Sequence, residues 1–180
     1  YSAAVNGLQV TPVTVEVNIT RGVQYHLTGL GDGAVKESRD RLVAALPNSG
    51  FKFPVAEITV NMAPADLRKE GSGFDLPLAI GILAATDKVQ PDLLDKYMLV
   101  GELSLDGTLQ PVRGCLPIAI QARKEHYKGL IVPKQNVREA AVVNNLDVYG
   151  MERLIDVVKF LNGLSDFEPT VVDTRKEFYE

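Results

Sequence analysis

The sequence has no tryptophan, one cysteine and two histidines, and each scarcity removes a class of function. Cys115 alone cannot close an internal disulfide, and His26 and His126 stand too far apart in sequence for zinc-ligand spacing. Neither a disulfide scaffold nor a metal site is expected, and a reducing, cytoplasmic compartment suits the composition. Long apolar runs are missing as well. The longest, Leu76 to Ala85, falls well short of the roughly 20 residues a membrane-spanning helix needs, so no membrane partner is expected. No secretory leader is recognisable, and a start at Tyr1 rather than at methionine points to a longer parent protein.

The phosphate-binding pattern G-x-x-x-x-G-K-[ST] is absent, so this chain by itself is expected to carry no nucleotide cofactor. Surplus positive charge is absent too. Nineteen Lys and Arg face 23 Asp and Glu, a net charge of −4, which argues against non-specific nucleic-acid binding as the main task. Part of the acidity is local: residues 166–180 carry five acids, Asp166, Glu168, Asp173, Glu177 and Glu180, against Arg175 and Lys176. The body of the chain is close to neutral.

What remains is a chain of 180 residues, enough for one full core and too short to make two domains the expectation. Val13, Val15, Val17 and Ile19 alternate with polar residues, the period of a half-buried strand. Gln24 to Leu30 is expected to pair with it antiparallel. Ala34 to Leu46 reads as a helix with Val35, Leu42, Val43 and Leu46 on one side, stopped by Pro47-Asn48-Ser49-Gly50. Ile58, Val60 and Met62 mark a second strand, and Leu76 to Ala85 is apolar on nearly every face, a helix for the middle of the core. Leu105-Asp106-Gly107-Thr108 is a two-residue hairpin signal. Further helices are expected at 113–127, 136–144 and 151–161, with strands at 129–133 and 148–149. The first half is hairpin-like and the second alternates strand with helix, so the predicted fold class is α/β (α+β), a mixed sheet with packed helices. Residues 1–164 form the expected domain, and residues 165–180 read as a linker.

Two glycine-rich places invite chemistry. Gly29-Leu30-Gly31-Asp32-Gly33 precedes a helix, but without further context it reads as a plain turn into that helix. Arg68-Lys69-Glu70-Gly71-Ser72-Gly73-Phe74-Asp75 offers two accounts. In the first, Ser72 and Asp75 form a capping box, and Gly71 and Gly73 give the backbone freedom for a sharp helix entry. In the second, Ser72 is a nucleophile activated by Lys69. A lysine base needs desolvation to bring its pKa toward neutrality; Lys69 stands in a polar run, so the cap is the preferred account.

Residues 61–85 closely resemble the N-terminal domain of the magnesium-chelatase-like AAA+ ATPases, the family of the bacterial competence protein ComM. Ala34–Arg39, Asn48–Phe51, Val100–Gly107, Pro111–Gly114 and Gly129–Pro133 extend the resemblance in order to about Gly163. It implies a fold similar to the proteolytic domain of Lon, a ribosomal-protein-S5-domain-2-like architecture. Lon carries its nucleophile in Lys-Asp-Gly-Pro-Ser-Ala-Gly. Laid on Lys69-Glu70-Gly71 without gaps, the pattern puts the serine position on Gly73 and Ser72 in place of the proline. The partner lysine falls on Leu116. Both catalytic positions are therefore expected to be empty, and the chain is expected not to be an enzyme.

The resemblance also implies a following AAA+ module that binds ATP and Mg2+, and a cytoplasmic, ring-forming parent, hexameric, that acts on DNA in recombination and competence. This domain would then serve assembly or DNA engagement, with Arg68, Lys69 and Arg113, or Lys36, Arg39 and Arg41, as contacts for DNA or a partner. Each of these cations also has the bland reading of a solvated surface charge. The alternative is the chamber domain of an ATP-dependent Ser-Lys protease, using Ser72 and Lys69. Magnesium insertion into porphyrin, suggested by the family name alone, has no supporting residues in the sequence.

Overall fold

The computed structural model describes residues 1–6, 9–65, 69 and 73–172. The alternating stretch around Val13 extends into a long strand, β2 (Gln9–Thr20), which pairs antiparallel with β1 (Ser2–Asn6), Ser2 opposite Val13. On its other side β2 pairs antiparallel with β4 (Glu57–Ala63), Val17 opposite Val60. The segment expected to pair with β2 lies elsewhere. β3 (Tyr25–Thr28) sits beyond β4 and runs parallel to it, giving the order β1-β2-β4-β3. The helix α1 (Asp32–Asn48) connects β3 to β4, and a helical crossover returns the chain to a parallel neighbour, whereas a tight turn would have given a hairpin.

Ser38, Leu42, Ala45 and Leu46 form the buried side of α1, and Val43, expected in that stripe, is exposed. Pro47 falls inside the last turn instead of ending the helix. A Cβ on Gly29 would come within 2.3 Å of the Met62 carbonyl oxygen, and its φ of +101° suits glycine, so close packing accounts for this glycine.

The apolar run forms α2 (Asp75–Ala85), with Asp75 to Ile80, Ile82 and Leu83 all buried. It crosses the sheet over β2 so closely that a Cβ on Gly81 would stand 2.6 Å from Val17 Cγ2. The expected hairpin follows as β6 (Glu102–Leu103) and β7 (Leu109–Gln110), after β5 (Tyr97–Leu99). Its loop is longer than the two residues expected. Ser104 N–H bonds the Thr108 carbonyl (2.9 Å), and Gly107, at φ +89°, donates to the Ser104 carbonyl (3.0 Å). This is a three-residue turn with glycine at its left-handed position.

The second half builds a separate parallel sheet from β5, β8 (Gly129–Pro133) and β9 (Asp147–Met151), with α3 (Cys115–Lys124), α4 (Val137–Ala141) and α5 (Leu154–Leu161) packed on it. Both faces are covered, as parallel sheets require. Tyr97, Leu99, Ile131, Tyr149 and Met151 face the main core with α2 and α5. Met98, Leu130, Val132 and Val148 face a second core, with Cys115, Ile118, Ala119 and Ala122 of α3 and Val137 and Ala140 of α4. β1 joins the two sheets: Leu99 N–H donates to the Tyr1 carbonyl (2.9 Å), and Ala3 and Ala4 enter different cores. After α5 the chain forms no regular element up to residue 172, and Thr170 N–H bonds the Val148 carbonyl on β9 (2.8 Å). Among the described residues no helix is long and apolar enough to cross a membrane.

The close approach at Gly81 makes a specific prediction. Alanine there should gain helix propensity of about 1 kcal/mol, yet the added methyl strikes a stiff β-branched side chain. Gly81→Ala is expected to destabilise the domain by about 1–3 kcal/mol in urea unfolding. In the Val17→Ala background the same change should cost less; an equal cost would show that the contact is not the cause.

Candidate functional site

The end of the glycine-serine-glycine stretch opens into a cleft of about 650 Å³. Its walls are Ala3 to Val5 of β1, Gly73 and Phe74, Val100, Glu102 and Ile118, and the loop Pro111 to Gly114. Backbone hydrogen bonds hold these walls. Gly101 N–H donates to the Gly73 carbonyl (2.9 Å) and Leu76 N–H to the Gly101 carbonyl (3.0 Å). On the opposite side the buried Asn136 side chain both accepts from Val112 N–H and donates to the Val112 carbonyl, each at 2.9 Å. Asn136 pins the loop from a distant segment, a role no local sequence pattern signals.

The comparison with the Lon pattern places a protease serine at Gly73 and its lysine at Leu116. Gly73 does line the cleft, and a Cβ built on it would meet only Val112 Cγ1 at 3.5 Å, so the position is open but has no side chain. Leu116 lies in the first turn of α3, 38% exposed and not among the lining residues. Neither position presents a nucleophile or a base. Cys115, next to it, is fully buried, and burial together with nearby Glu139 pushes its thiol up to about 12. It holds no thiolate at neutral pH. The charged residues of the described lining are Glu102 and Arg113.

The expected contact residues scatter. Arg68, Gly71 and Ser72 lie outside the described residues. Lys69 does not stand in solvent as its polar neighbours imply: it is only 7% exposed, and its ammonium donates to the Pro64 carbonyl. An amine held there is a poor phosphate contact. Lys36 and Arg39 are exposed on α1, interleaved with exposed Glu37 and Asp40, so their face is of mixed sign. Arg113 is exposed at the cleft. Arg41 is half-buried, and its guanidinium is bound to Asp75.

That pairing is the main feature the sequence does not reveal. The Asp75 carboxylate, 1% exposed, accepts from Arg41 Nε (2.6 Å) and Nη2 (3.0 Å), from the Ser38 hydroxyl (3.0 Å) and from Leu103 N–H (3.1 Å). It ties α1, α2 and β6 together. The capping box expected of Ser72 and Asp75 lies outside what is described, since Ser72 is not among the described residues. The α2 N-terminus has Phe74 as its cap residue with no side-chain cap bond; Leu76 N–H is satisfied by Gly101, and Pro77 has no N–H to satisfy. Burial raises the Asp75 pKa, and the bonds from Arg41, Leu103 and Ser38 oppose that rise. The Arg41 pKa is raised, first by its hydrogen bond to Asp75.

Removing one partner strands the other charge. Asp75→Leu or Arg41→Met alone is expected to cost about 3–5 kcal/mol, while the double variant should recover much of the loss. Urea midpoints of the four chains check this, and additive losses would mean the pair is not coupled.

Known proteins are similar to the chain over most of its length. The chain matches the family described as "Subunit ChlI of Mg-chelatase" over residues 15–136. It is 48% identical over 164 residues to Competence protein ComM of Haemophilus influenzae, covering 91% of this chain and 32% of that protein. It is 42% identical, with the same coverage, to the uncharacterized protein YifB of Escherichia coli. A more distant likeness, 24% over 148 residues, links 79% of the chain to 26% of Lon protease 2 of Bacillus subtilis. The chain spans about a third of the length of the ComM and YifB proteins. It belongs to the magnesium-chelatase-like (ChlI) family, together with the competence protein ComM.

Proposed function

We propose that the chain is a non-peptidase domain of a larger magnesium-chelatase-like ATPase. The parent is a cytoplasmic, ring-forming, hexameric motor that processes DNA in competence and recombination. A separate AAA+ module of that parent binds ATP and Mg2+, and this domain serves ring assembly or DNA engagement. The observation that carries the non-peptidase reading is the identity of two residues: Gly73, which lines the cleft, and Leu116, which does not, fall where the Lon pattern keeps its catalytic pair and offer neither a hydroxyl nor an amine. A Ser-Lys hydrolase needs both groups, one to attack and one to accept the proton. The DNA-processing part draws its support from the likeness to a competence protein.

A second reading has one observation in its favour. Lys69 is shielded from water, which is the environment a general-base lysine needs, and it stands three residues before Ser72 in sequence. In that reading Ser72 attacks a peptide carbonyl and Lys69 takes its proton. Incubation with unfolded casein separates the two. The proposed function predicts no cleavage by the wild-type chain and no labelling of Ser72 by a serine-directed fluorophosphonate. Cleavage that disappears in both Ser72→Ala and Lys69→Met would establish the peptidase.

A further inference from the structure

We propose that the loop between β7 and α3, residues 111–114, is a hinged lid on the 650 Å³ cleft and that the Asn136 side chain is its latch. The inference concerns access to the cleft and does not depend on what the parent protein acts on. The loop reaches two of the other walls. At its middle, Val112 Cγ1 would stand 3.5 Å from a Cβ on Gly73, an ordinary contact distance. At its end, a Cβ on Gly114 would come within 3.1 Å of Val5 Cγ2 on β1. Val112 therefore lies against Gly73, and Gly114 abuts the first strand. In this position the loop is shut.

What holds it shut is slight. The β6–β7 ladder ends at Gln110, opposite Glu102. At the other end the Gly114 carbonyl accepts from Ile118 N–H (3.1 Å), a bond within the first turn of α3. Between these ends, among the described residues, the hydrogen bonds to the loop come from one side chain: Asn136 Oδ1 accepts from Val112 N–H and Nδ2 donates to the Val112 carbonyl. Pro111 has no N–H to donate, and Arg113 is exposed. Val112 adds an apolar contact with the second core, in which it is only half-buried. A segment with so few backbone bonds and so little buried apolar surface opens at a lower free energy than its surroundings. Gly114, at φ +82°, supplies a hinge at an element end, where glycine turns freely. The latch, by contrast, is fixed. Asn136 is 7% exposed, and its other amide hydrogen goes to Glu139 Oε1 (2.8 Å), which holds the side chain to α4 when the loop moves. Opening leaves the buried amide short of partners, so the shut state is favoured until something displaces Val112.

The test is the rate at which a thiol placed under the lid reacts with dithiobis(nitrobenzoate). Gly73→Cys puts that thiol against Val112, and the wild-type chain is the blank because its one cysteine, Cys115, is fully buried. Labelling of Gly73→Cys is expected to be slow and independent of urea below the unfolding transition, the mark of a local opening. Adding Asn136→Leu should speed it about tenfold or more, again without urea dependence. A loss of global stability alone would speed labelling only with the urea slope of global unfolding. In Gly73→Cys/Val112→Cys the two Cβ atoms would stand 4.0 Å apart, within disulfide range, so mild oxidation should bridge them and trap the lid shut. The unmodified chain gives an independent measurement: the Val112 amide should exchange by urea-independent opening while the Ala119 amide in α3 exchanges only through unfolding. Equal labelling rates with and without Asn136→Leu would overturn the latch. Labelling or Val112 exchange that carries the full slope of global unfolding would overturn the lid, as would failure of the double variant to bridge.

Discussion

A single buried carboxylate organises this domain. Asp75 is nearly inaccessible to water, and an ionised carboxylate there is tolerable only because the Arg41 fork, the Ser38 hydroxyl and the Leu103 N–H all point at it. Its partners come from α1 and β6, elements separated from it by 28 to 37 residues in sequence. The apolar helix that fills the core is therefore held in register at its first residue by a polar clamp. The clamp fixes the first residue of α2, and the close approach of Gly81 to Val17 fixes its middle against the sheet.

The cleft depends on that arrangement. Gly73 stands two residues before Asp75, and the bonds among Gly73, Gly101 and Leu76 hang the cleft wall on the clamped end of α2. Asn136 fastens the facing loop. These supports are backbone hydrogen bonds and one neutral side chain. A cleft built this way takes its shape from main-chain bonding more than from the side chains that line it. The family kinship and the fainter likeness to Lon fit a scaffold of this kind.

Much of the fold is legible in the residues. β8 occupies the expected 129–133, β4 and α2 lie within one or two residues of their patterns, and the parallel pairing of the second half follows from alternation of strand and helix. The departures share one cause. β3 reads as a hairpin partner because it is next in sequence, but pairing is decided by which edges remain open once β1 and β4 flank β2. The basic residues of the candidate site take their apparent exposure from their neighbours in the chain. Lys69 is polar in its sequence setting and buried in fact, and Arg41 is half-buried with its guanidinium engaged, because their partners, the Pro64 carbonyl and Asp75, are supplied by the folded chain.

The residues by themselves determined the element types, the central helix and the family, since each rests on side-chain identity or short-range period. Only the tertiary structure decided which charges are available. Arg41 is held by Asp75, distant from it in the chain, and Lys134 by Glu152 at the ends of two neighbouring strands. Charge acts through space, and the distances that matter are set by strand order and crossover.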